Sequence, residues 1–341
     1  MPDPNKHGLK RHIPADIRRQ IRQNSKFGCV LCRKGFYHYE HIDPTFEEAR
    51  EHHADTICCL CGACHDAVTR GQISKRAVKS AYSKIKSASS DEVDPPVGPL
   101  DFHDGSAELK IGNLLYSPTV YVVLRYHGQD IIRVIPGKNE EPGKISAIFT
   151  NEFGEPILEL RENEWVGSLD NWDVEIKGAR ITVRSSHGKV ALQIRLDPPG
   201  RVVLERLDMR FGSGHVIATE ETYAVGRYFS EDEAIWLHAS IRIIKSSPFG
   251  SAIEFTDAEE LEKRDKKFMN MGQELATSDR NIIMNFNTGA YLKPAGIVIS
   301  SYCAFELGKF ACGVRKVSDV RRVILNNPDQ LCRFLGTGSV E

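Results

Sequence analysis

Two pairs of cysteines share one spacing, because two residues separate Cys29 from Cys32 and two separate Cys61 from Cys64. Each pair places two thiolates on one side of a tight turn, and four thiolates at tetrahedral reach form a closed structural zinc site. Six of the nine cysteines lie within residues 29–64. We expect no export signal at the start of the chain, so this clustering favours metal over disulfides. The sequence predicts structural Zn²⁺ on these four ligands.

Some cysteines in the sequence fall outside this assignment. Cys58, Cys59 and His65 lie close enough to offer alternative ligands, so a site that uses only part of the predicted set stays open. Three further cysteines stand in apolar or mixed surroundings and are expected to be small buried hydrophobes, namely Cys303, Cys312 and Cys332.

An acidic residue and two histidines adjoin the cysteine pairs. Glu40 and His41 lie in the segment YEHIDP between the pairs, and His65 directly follows Cys64. Phosphodiester hydrolysis needs a base that deprotonates water and a cation that neutralises charge on the phosphate and the leaving oxygen. Taken singly, His41 is better explained as a histidine that hydrogen-bonds in a turn, and Glu40 as a solvated carboxylate. Their position between two cysteine pairs, with His65 at the spacing of the family described next, favours catalysis.

This pattern resembles the HNH, or ββα-metal, endonucleases, which combine a first CxxC, an acidic residue followed by His and a nearby Pro, and a His after the second CxxC. The resemblance implies that His41 is the general base and that Glu40 and His65 hold one catalytic Mg²⁺ or Mn²⁺ ion. Neighbouring residues of a strand face opposite sides, so Glu40 and His41 can share a site only if the strand is distorted, as it is in the family.

The sequence departs from the family pattern five positions before Cys61, where Thr56 stands in place of Asn. In the family this Asn braces the loop that carries the base, so Thr56 or Asp55 would have to replace it through a shorter hydrogen bond. His53 is a spare candidate ligand. Because it adjoins His52 in a polar helix, a solvated side chain is the simpler interpretation.

The charge of the chain is unevenly distributed. Residues 1–90 hold 16 Lys and Arg against 9 Asp and Glu, a net charge of +7, whereas the remainder holds 29 against 37, a net charge of −8. A basic segment attracts a phosphate backbone and an acidic one repels it. We therefore expect the first 90 residues to contact nucleic acid, through the basic side chains of two helical faces: Arg18, Arg19, Arg22, Lys75, Arg76 and Lys79.

The periodicity of the sequence changes near residue 90. Before that point it predicts a helix over residues 13–23, two half-strands around the first cysteine pair, and two helices separated by Gly71. A polar, proline-bearing segment follows, so the domains are predicted as 1–90, a linker at 91–104, and a β-rich region at 105–341. The β-rich region is one unit or two subdomains with a break near residues 212–230.

Residues 105–341 show short runs of period two separated by turn residues, which predicts an antiparallel meander. One helical segment interrupts it, from Ala258 to Ala276. The predicted fold class is α+β: a small zinc-stapled ββα-metal domain followed by a mainly antiparallel all-β region with one helix. Trp165, Trp172 and Trp236 either line a recognition surface or pack in the core, and core packing is the commoner fate of Trp in strands.

Residues 10–211 also resemble a group of bacterial HNH-signature proteins with a β-rich tail. We expect a soluble cytoplasmic endonuclease that nicks or cuts DNA, with RNA as an alternative substrate and with defence against phage or plasmids as its setting. The β-rich region is expected to regulate it by oligomerisation or by binding a partner or ligand. The alternatives are a zinc-knuckle nucleic-acid-binding protein with weak or lost catalysis, and an interaction scaffold.

Overall fold

The structure is a computed structural model. It describes residues 4–89, 108–116, 122–135, 144–162, 164–166, 171–197, 201–256, 274–276, 282–285, 289–292 and 297–335. The helices are α1 (Ala15–Asn24), α2 (Gly62–Thr69), α3 (Lys75–Ser87), α4 (Val317–Asn326) and α5 (Leu331–Leu335), with a 3-10 turn at Pro328–Gln330. The strands are β1 (His38–His41), β2 (Ile57–Leu60), β3 (Glu108–Ile111), β4 (Leu114–Tyr116), β5 (Val122–Tyr126), β6 (Gln129–Ile135), β7 (Lys144–Thr150), β8 (Pro156–Arg161), β9 (Glu164–Val166), β10 (Asp173–Lys177), β11 (Arg180–Ser186), β12 (Lys189–Asp197), β13 (Arg201–Phe211), β14 (Gly214–Thr219), β15 (Tyr223–Tyr228), β16 (Glu233–Phe255), β17 (Glu274–Ala276), β18 (Ile282–Asn285), β19 (Gly289–Leu292) and β20 (Ile297–Lys316).

The chain forms two compact units. The first unit contains Met1–Pro99 together with Ile157–Glu159 and Asn163–Lys189. The second contains Leu100–Pro156, Leu160–Glu162 and Val190–Glu341. The first unit therefore combines all the predicted metal and catalytic residues with the hairpin β10–β11, which lies far along the sequence.

The first unit is built around β2, which pairs antiparallel with β1 and leads into α2. All four residues of β2 are buried, and they alternate between two clusters as the period of a strand requires. Ile57 and Cys59 pack with Ile21 of α1, whereas Cys58 and Leu60 pack with the buried side of α3. The strand is thus apolar on both faces because a helix covers each of them.

The helices of this unit carry one apolar face each. In α1 the isoleucines Ile17 and Ile21 are four residues apart, and Ile21 is fully buried. In α3 the buried residues Val78 and Tyr82 have the same spacing, and the Ser74 hydroxyl caps the helix by accepting from the Ala77 amide. Both helices therefore pack one side on β2, and α3 exposes its basic side.

The hairpin β10–β11 packs against α1 within the first unit. The Arg22 guanidinium donates from Nε and Nη2 to the two carboxylate oxygens of Asp173, both at 2.7 Å. Arg184 of β11 donates to the same carboxylate at 2.8 Å, and Arg22 also donates to the Tyr39 hydroxyl at 2.7 Å. A buried carboxylate with this many donors is fully compensated, so the ion pair joins α1, β1 and the hairpin.

The second unit is an antiparallel assembly with a few parallel contacts. Its strands pair in the order β12-β13-β14-β15-β16-β20, and the shorter hairpins β3–β4 and β17–β18–β19 extend it. Strand β16 has 23 residues and β20 has 20, and they pair along most of their length with three register shifts. Helix α4 covers one end by packing Val317, Val320 and Ile324 around Trp236.

Several fold predictions can now be compared with the structure. The mixed α+β class with mostly antiparallel strands is confirmed. The helix predicted at Ala258–Ala276 is wrong at its end, because Glu274–Ala276 form β17 and pair with β18; residues 257–273 lie outside the described part. Helices α4 and α5 were not predicted. In the part of the chain that the structure describes, no helix is long and apolar enough to cross a membrane.

The predicted linker at 91–104 lies outside the described residues. The alternative break near residues 212–230 coincides with β14 and β15, which pair with each other inside the second unit.

Candidate metal centre and imidazole cluster

The four predicted zinc ligands come together in the first unit. The sulfur atoms of Cys29, Cys32, Cys61 and Cys64 all lie within 4.8 Å of one another. Two elements position them: a turn in which the Cys29 amide donates to Lys34 and the Arg33 amide donates back to Cys29, and the N-terminus of α2. Four thiolates at this mutual distance fit a tetrahedral structural zinc site. The structure supports a four-cysteine cluster that can bind zinc.

The alternative ligands Cys58 and Cys59 belong to the hydrophobic core. Both are fully buried in β2, on its opposite faces. Neither sulfur belongs to the group of four cysteine sulfurs that lie within 4.8 Å of one another in the described residues. These two side chains are therefore core residues and not ligands of the four-cysteine cluster.

Glu40 and His65 meet beside this cluster. The His65 Nε2 atom lies 2.9 Å from Glu40 Oε2, and the Glu40 side chain is only 14% exposed. Strand β1 positions the carboxylate, and the first turn of α2, where the His65 amide donates to the Cys61 carbonyl, positions the imidazole. The ring of His38, two residues before Glu40 on the same face of β1, lies 5.8 Å from the His65 ring. A carboxylate and an imidazole so placed can provide two ligands for one divalent cation.

A lysine already neutralises this carboxylate. Lys75, in the first turn of α3, forms an ion pair with Glu40 Oε1 and donates to the His41 carbonyl oxygen at 2.5 Å. The sequence predicted that Lys75 contacts phosphate. Its ammonium group instead holds the end of β1 against α3, and it stands beside the oxygen that a metal ion would use.

His41 is held by a second histidine. Its Nε2 atom lies 3.2 Å from His52 Nδ1, and His52 Nε2 lies 2.9 Å from the Lys10 carbonyl oxygen. Because a carbonyl oxygen only accepts, His52 Nε2 carries the proton and its Nδ1 atom accepts from His41 Nε2. Burial and the neighbouring His52 lower the pKa of His41 to about 4. His41 is therefore a neutral imidazole whose Nδ1 atom keeps a lone pair.

The segment after His41 is anchored by the main chain of Thr56. The Ile42 amide donates to the Thr56 carbonyl oxygen at 2.8 Å, and the Thr56 hydroxyl donates to the His53 carbonyl oxygen at 3.1 Å. Asp55 instead pairs with Lys86 at 2.8 Å. Thr56 thus stabilises the loop through its backbone, a contact that does not require the side chain of Asn.

Two residues near this site differ from expectation. His53 is exposed and pairs with Glu51, so it is a surface side chain, whereas its neighbour His52 is buried against His41. Residues 45–55 form turns and not the polar helix expected for them. The sequence does not mark His52 as a partner of His41, because the Lys10 carbonyl that holds it is 42 residues away and leaves no local pattern.

The predicted phosphate contacts separate into three groups. Arg22 is 4% exposed and fully engaged with Asp173, so it is a structural residue and cannot reach a phosphate. Arg18 and Arg19 face the hairpin β10–β11. On α3, Arg76 is exposed, and Lys79 is exposed while pairing with Asp43 at 2.8 Å.

The tryptophans differ in their environments. Trp236 is fully buried in the core of the second unit, and its Nε1 atom donates to the Arg315 carbonyl oxygen at 3.2 Å. Trp172 is half-buried beside α1, with the Arg19 guanidinium 4.5 Å from the ring centroid. The side chain of Trp165 lies outside the described residues.

Comparisons of the chain with family models, with curated proteins and with solved structures found no match.

Proposed function

We propose that this chain is a metal-dependent endonuclease of the HNH type that hydrolyses DNA. The observation that carries the proposal is the contact between Glu40 and His65 beside the four-cysteine cluster. These two residues come from a hairpin and the helix that follows it, and His41, the next residue along β1, is a neutral imidazole. The donor types suit a divalent cation and the imidazole suits proton transfer.

Each residue has a separate role in this proposal. His41 acts as the general base: its Nδ1 atom takes a proton from water while the water oxygen bonds to phosphorus and the bond to the leaving oxygen breaks. His52 keeps the proton of His41 on Nε2. Glu40 and His65 hold Mg²⁺ or Mn²⁺, which supplies positive charge to offset the negative charge that develops on the phosphate.

The exposed basic face of α3 is the proposed contact for the substrate. Arg76 and Lys79 lie on this helix, whose N-terminal residue Lys75 touches Glu40. The net charge of +7 in residues 1–90 supports an electrostatic attraction to the backbone. Such contacts position a strand without distinguishing its bases, so the proposal includes no sequence preference.

The β-rich region is assigned a regulatory role, by oligomerisation or by binding a partner. Its net charge is negative, so it adds no attraction to nucleic acid. The resemblance to bacterial proteins is the basis for including a cytoplasmic location and a role in defence against invading DNA in this proposal.

A second function is favoured by one observation, the ion pair of Lys75 with Glu40. An ammonium group bound to this carboxylate competes with a divalent cation for the same oxygen. If the lysine prevails, the chain is a zinc-stabilised nucleic-acid-binding protein without cleavage.

One experiment distinguishes the two functions. Purified protein is incubated with supercoiled plasmid and, separately, with structured RNA, each with Mg²⁺ or Mn²⁺, and His41→Ala is compared with His53→Ala as the matched surface control. We expect His41→Ala to lose about 100-fold or more of the nicking rate, as for loss of a general base, and His53→Ala to retain it. Zinc content should be unchanged in both variants.

The other outcomes of this experiment are equally informative. Retardation of the plasmid without cutting by the parent protein would establish the binding function. Turnover retained in His41→Ala would exclude this residue as the base and contradict the proposed mechanism.

A further inference from the structure

A cavity of about 290 Å³ lies between helix α1 and the hairpin β10–β11, entirely within the first unit. Its volume is close to the lower limit for small-molecule sites, about 300 Å³. Four arginines and two rings line it: Arg18, Arg19, Arg22, Arg184, Trp172 and His187.

The charge balance of the cavity is positive. Two of its carboxylates, Asp173 and Glu175, accept hydrogen bonds from Arg22 or Arg184 at 2.7–3.0 Å. The remaining guanidinium groups belong to Arg18, whose Nη1 atom is 3.9 Å from Glu175, and to Arg19. One further carboxylate, that of Asp16, offsets part of the positive charge of these two guanidinium groups. The lining therefore has an excess of positive charge.

Two donors in this region have no hydrogen-bond partner. The Nε atoms of Arg18 and Arg19 are both buried and unbonded in the described structure. A buried donor without a partner costs about 1–3 kcal/mol, so a side-chain shift that brings such an Nε atom to an acceptor in the cavity would be favourable. Arginine side chains are the preferred protein donors for phosphate because their planar groups match its oxygens.

The start of α1 adds to this attraction. Ala15 and Asp16 of its first turn line the cavity, and the N-cap residue, Pro14, has no side chain that could cap the free amides. The first amides of a helix point toward an anion at its N-terminus. The Trp172 ring, which already stacks with the Arg19 guanidinium, gives the same cavity an aromatic wall.

We propose that this cavity binds a nucleotide, with its phosphate between Arg18 and Arg19 and its base against the aromatic wall. The phosphate supplies acceptors for the guanidinium groups of Arg18 and Arg19 that line the cavity, and an aromatic ring beside arginine is the chemistry that holds a planar base. The ligand is a free mononucleotide or one nucleotide unit of a single strand. This site goes beyond the proposed cleavage, which takes place at Glu40, His41 and His65.

The test is calorimetric titration of the full chain with adenosine 5′-monophosphate and with a 5′-phosphorylated DNA octamer. The double variant Arg18→Gln/Arg19→Gln is compared with Arg70→Gln, whose exposed guanidinium pairs with Asp66 on α2. We expect saturable binding by the parent protein and by Arg70→Gln, weakened about tenfold or more in the double variant. No Mg²⁺ or Mn²⁺ is added, so the result does not depend on cleavage.

The two ligands separate the two sources of the nucleotide. Binding of the monophosphate identifies a free nucleotide, and binding of the octamer alone, lost in the double variant, identifies a strand. A second variant, His187→Glu, adds a negative charge at an exposed position of the hairpin and should also weaken binding. Failure of both ligands to bind at millimolar concentration, or full affinity in a folded double variant, would overturn the proposal.

Discussion

Each unit contains a histidine that belongs to a series of hydrogen bonds. The two series end on different groups. His215 of the second unit is completely enclosed, with Nε2 2.7 Å from Asp208 Oδ1 and Nδ1 2.8 Å from the Tyr228 hydroxyl. His41 of the first unit is half-buried and bonds through Nε2 to His52. Both nitrogens of His215 are used for structure, whereas one nitrogen of His41 keeps its lone pair.

This difference separates a structural histidine from the histidine that is proposed to act as a base. Burial lowers the pKa of both rings, so the pKa alone does not separate them. The two rings differ in their hydrogen-bond partners. Arg321 compensates the charge of Asp208, which bonds to His215. The hydrogen bonds that begin at His41 end instead at a carbonyl oxygen. Only the second arrangement leaves an acceptor for a water proton.

The cores of the two units differ as well. The first unit places the four-cysteine cluster beside a small core that includes Cys58, Leu60 and Val68. The second unit has a core of aliphatic and aromatic side chains around Trp236. A metal that joins the turn after Gly28 to helix α2 would therefore contribute a large share of the stability of the first unit alone.

Removal of zinc should give the largest difference between the units. Structural zinc in small domains contributes about 10 kcal/mol or more of apparent binding free energy at neutral pH, comparable with the whole stability of a domain. We expect strong chelator, or Cys61→Ser, to abolish amide protection in α1–α3 while β13–β16 stay protected. Hydrogen exchange with mass spectrometry measures both units in one sample.

The matched control is Cys332→Ser, which changes a half-buried thiol of the second unit outside the metal cluster. It should retain zinc and the protection of α1–α3. Because Arg22 joins α1 to Asp173, the hairpin β10–β11 should lose protection together with the helices. Protection of α1–α3 that survives complete zinc removal would show that the hydrophobic core suffices.

Acid should destabilise the second unit through Asp208. Burial alone would raise the pKa of this carboxyl, but hydrogen bonds from His215 and Arg321 outweigh it and lower the pKa to about 2. Because this pKa lies below the ordinary 3.8, the ionised carboxylate stabilises the fold above pH 3.8. This stability is lost as the pH falls from 3.8 through 2. The loss amounts to about 2 kcal/mol.

Asp208→Asn tests this value, because the variant lacks the titrating group. We expect the variant to be less stable than the parent protein at pH 6 and to approach the stability of the parent protein at pH 2. Amide exchange of β14 measures this difference in stability. Asp319→Asn, at an exposed ion pair with Arg322, is the control and should change stability little. A stability difference that stays constant from pH 6 to pH 2 would disprove the role of Asp208.

The local patterns of the sequence predicted what depends on local geometry. The cysteine spacing predicted the four-thiol cluster, and period-two runs predicted strands such as β7 and β12. The residues Val317, Val320 and Ile324 carried a helical spacing that predicts α4, so this signal was present and overlooked. Elements of this kind are encoded within a few residues.

Contacts between distant segments could not be predicted in this way. Asp173 lies 151 residues after Arg22, so nothing near Arg22 marks it as a buried ion pair and not as a phosphate contact. The segment at Glu274–Ala276 has helical composition but forms a strand, because pairing with β18 outweighs its propensity. Cys58 and Cys59 resemble ligands in sequence, and only the burial of both faces of β2 makes them core residues.

The smallest predicted effect concerns His52 and tests the comparison of the two histidines directly. Without His52 as acceptor, the proton of His41 is no longer confined to Nε2, so part of the population loses the basic Nδ1 atom. A neutral hydrogen bond contributes about 1 kcal/mol, so we expect nicking by His52→Ala to fall by about tenfold or less. His52→Gln keeps a carbonyl acceptor and an amide donor, so it should recover part of this loss.

The ¹⁵N chemical shifts of the His41 ring provide a readout that a purely structural role would not change. In the parent protein they should show the proton on Nε2, and in His52→Ala a mixture of both neutral forms. The His215 ring, whose partners are unchanged, serves as the internal control in the same spectrum. Identical His41 shifts in the parent protein and in His52→Ala would mean that His52 contributes only packing. The proposed difference between His41 and a structural histidine would then be disproved.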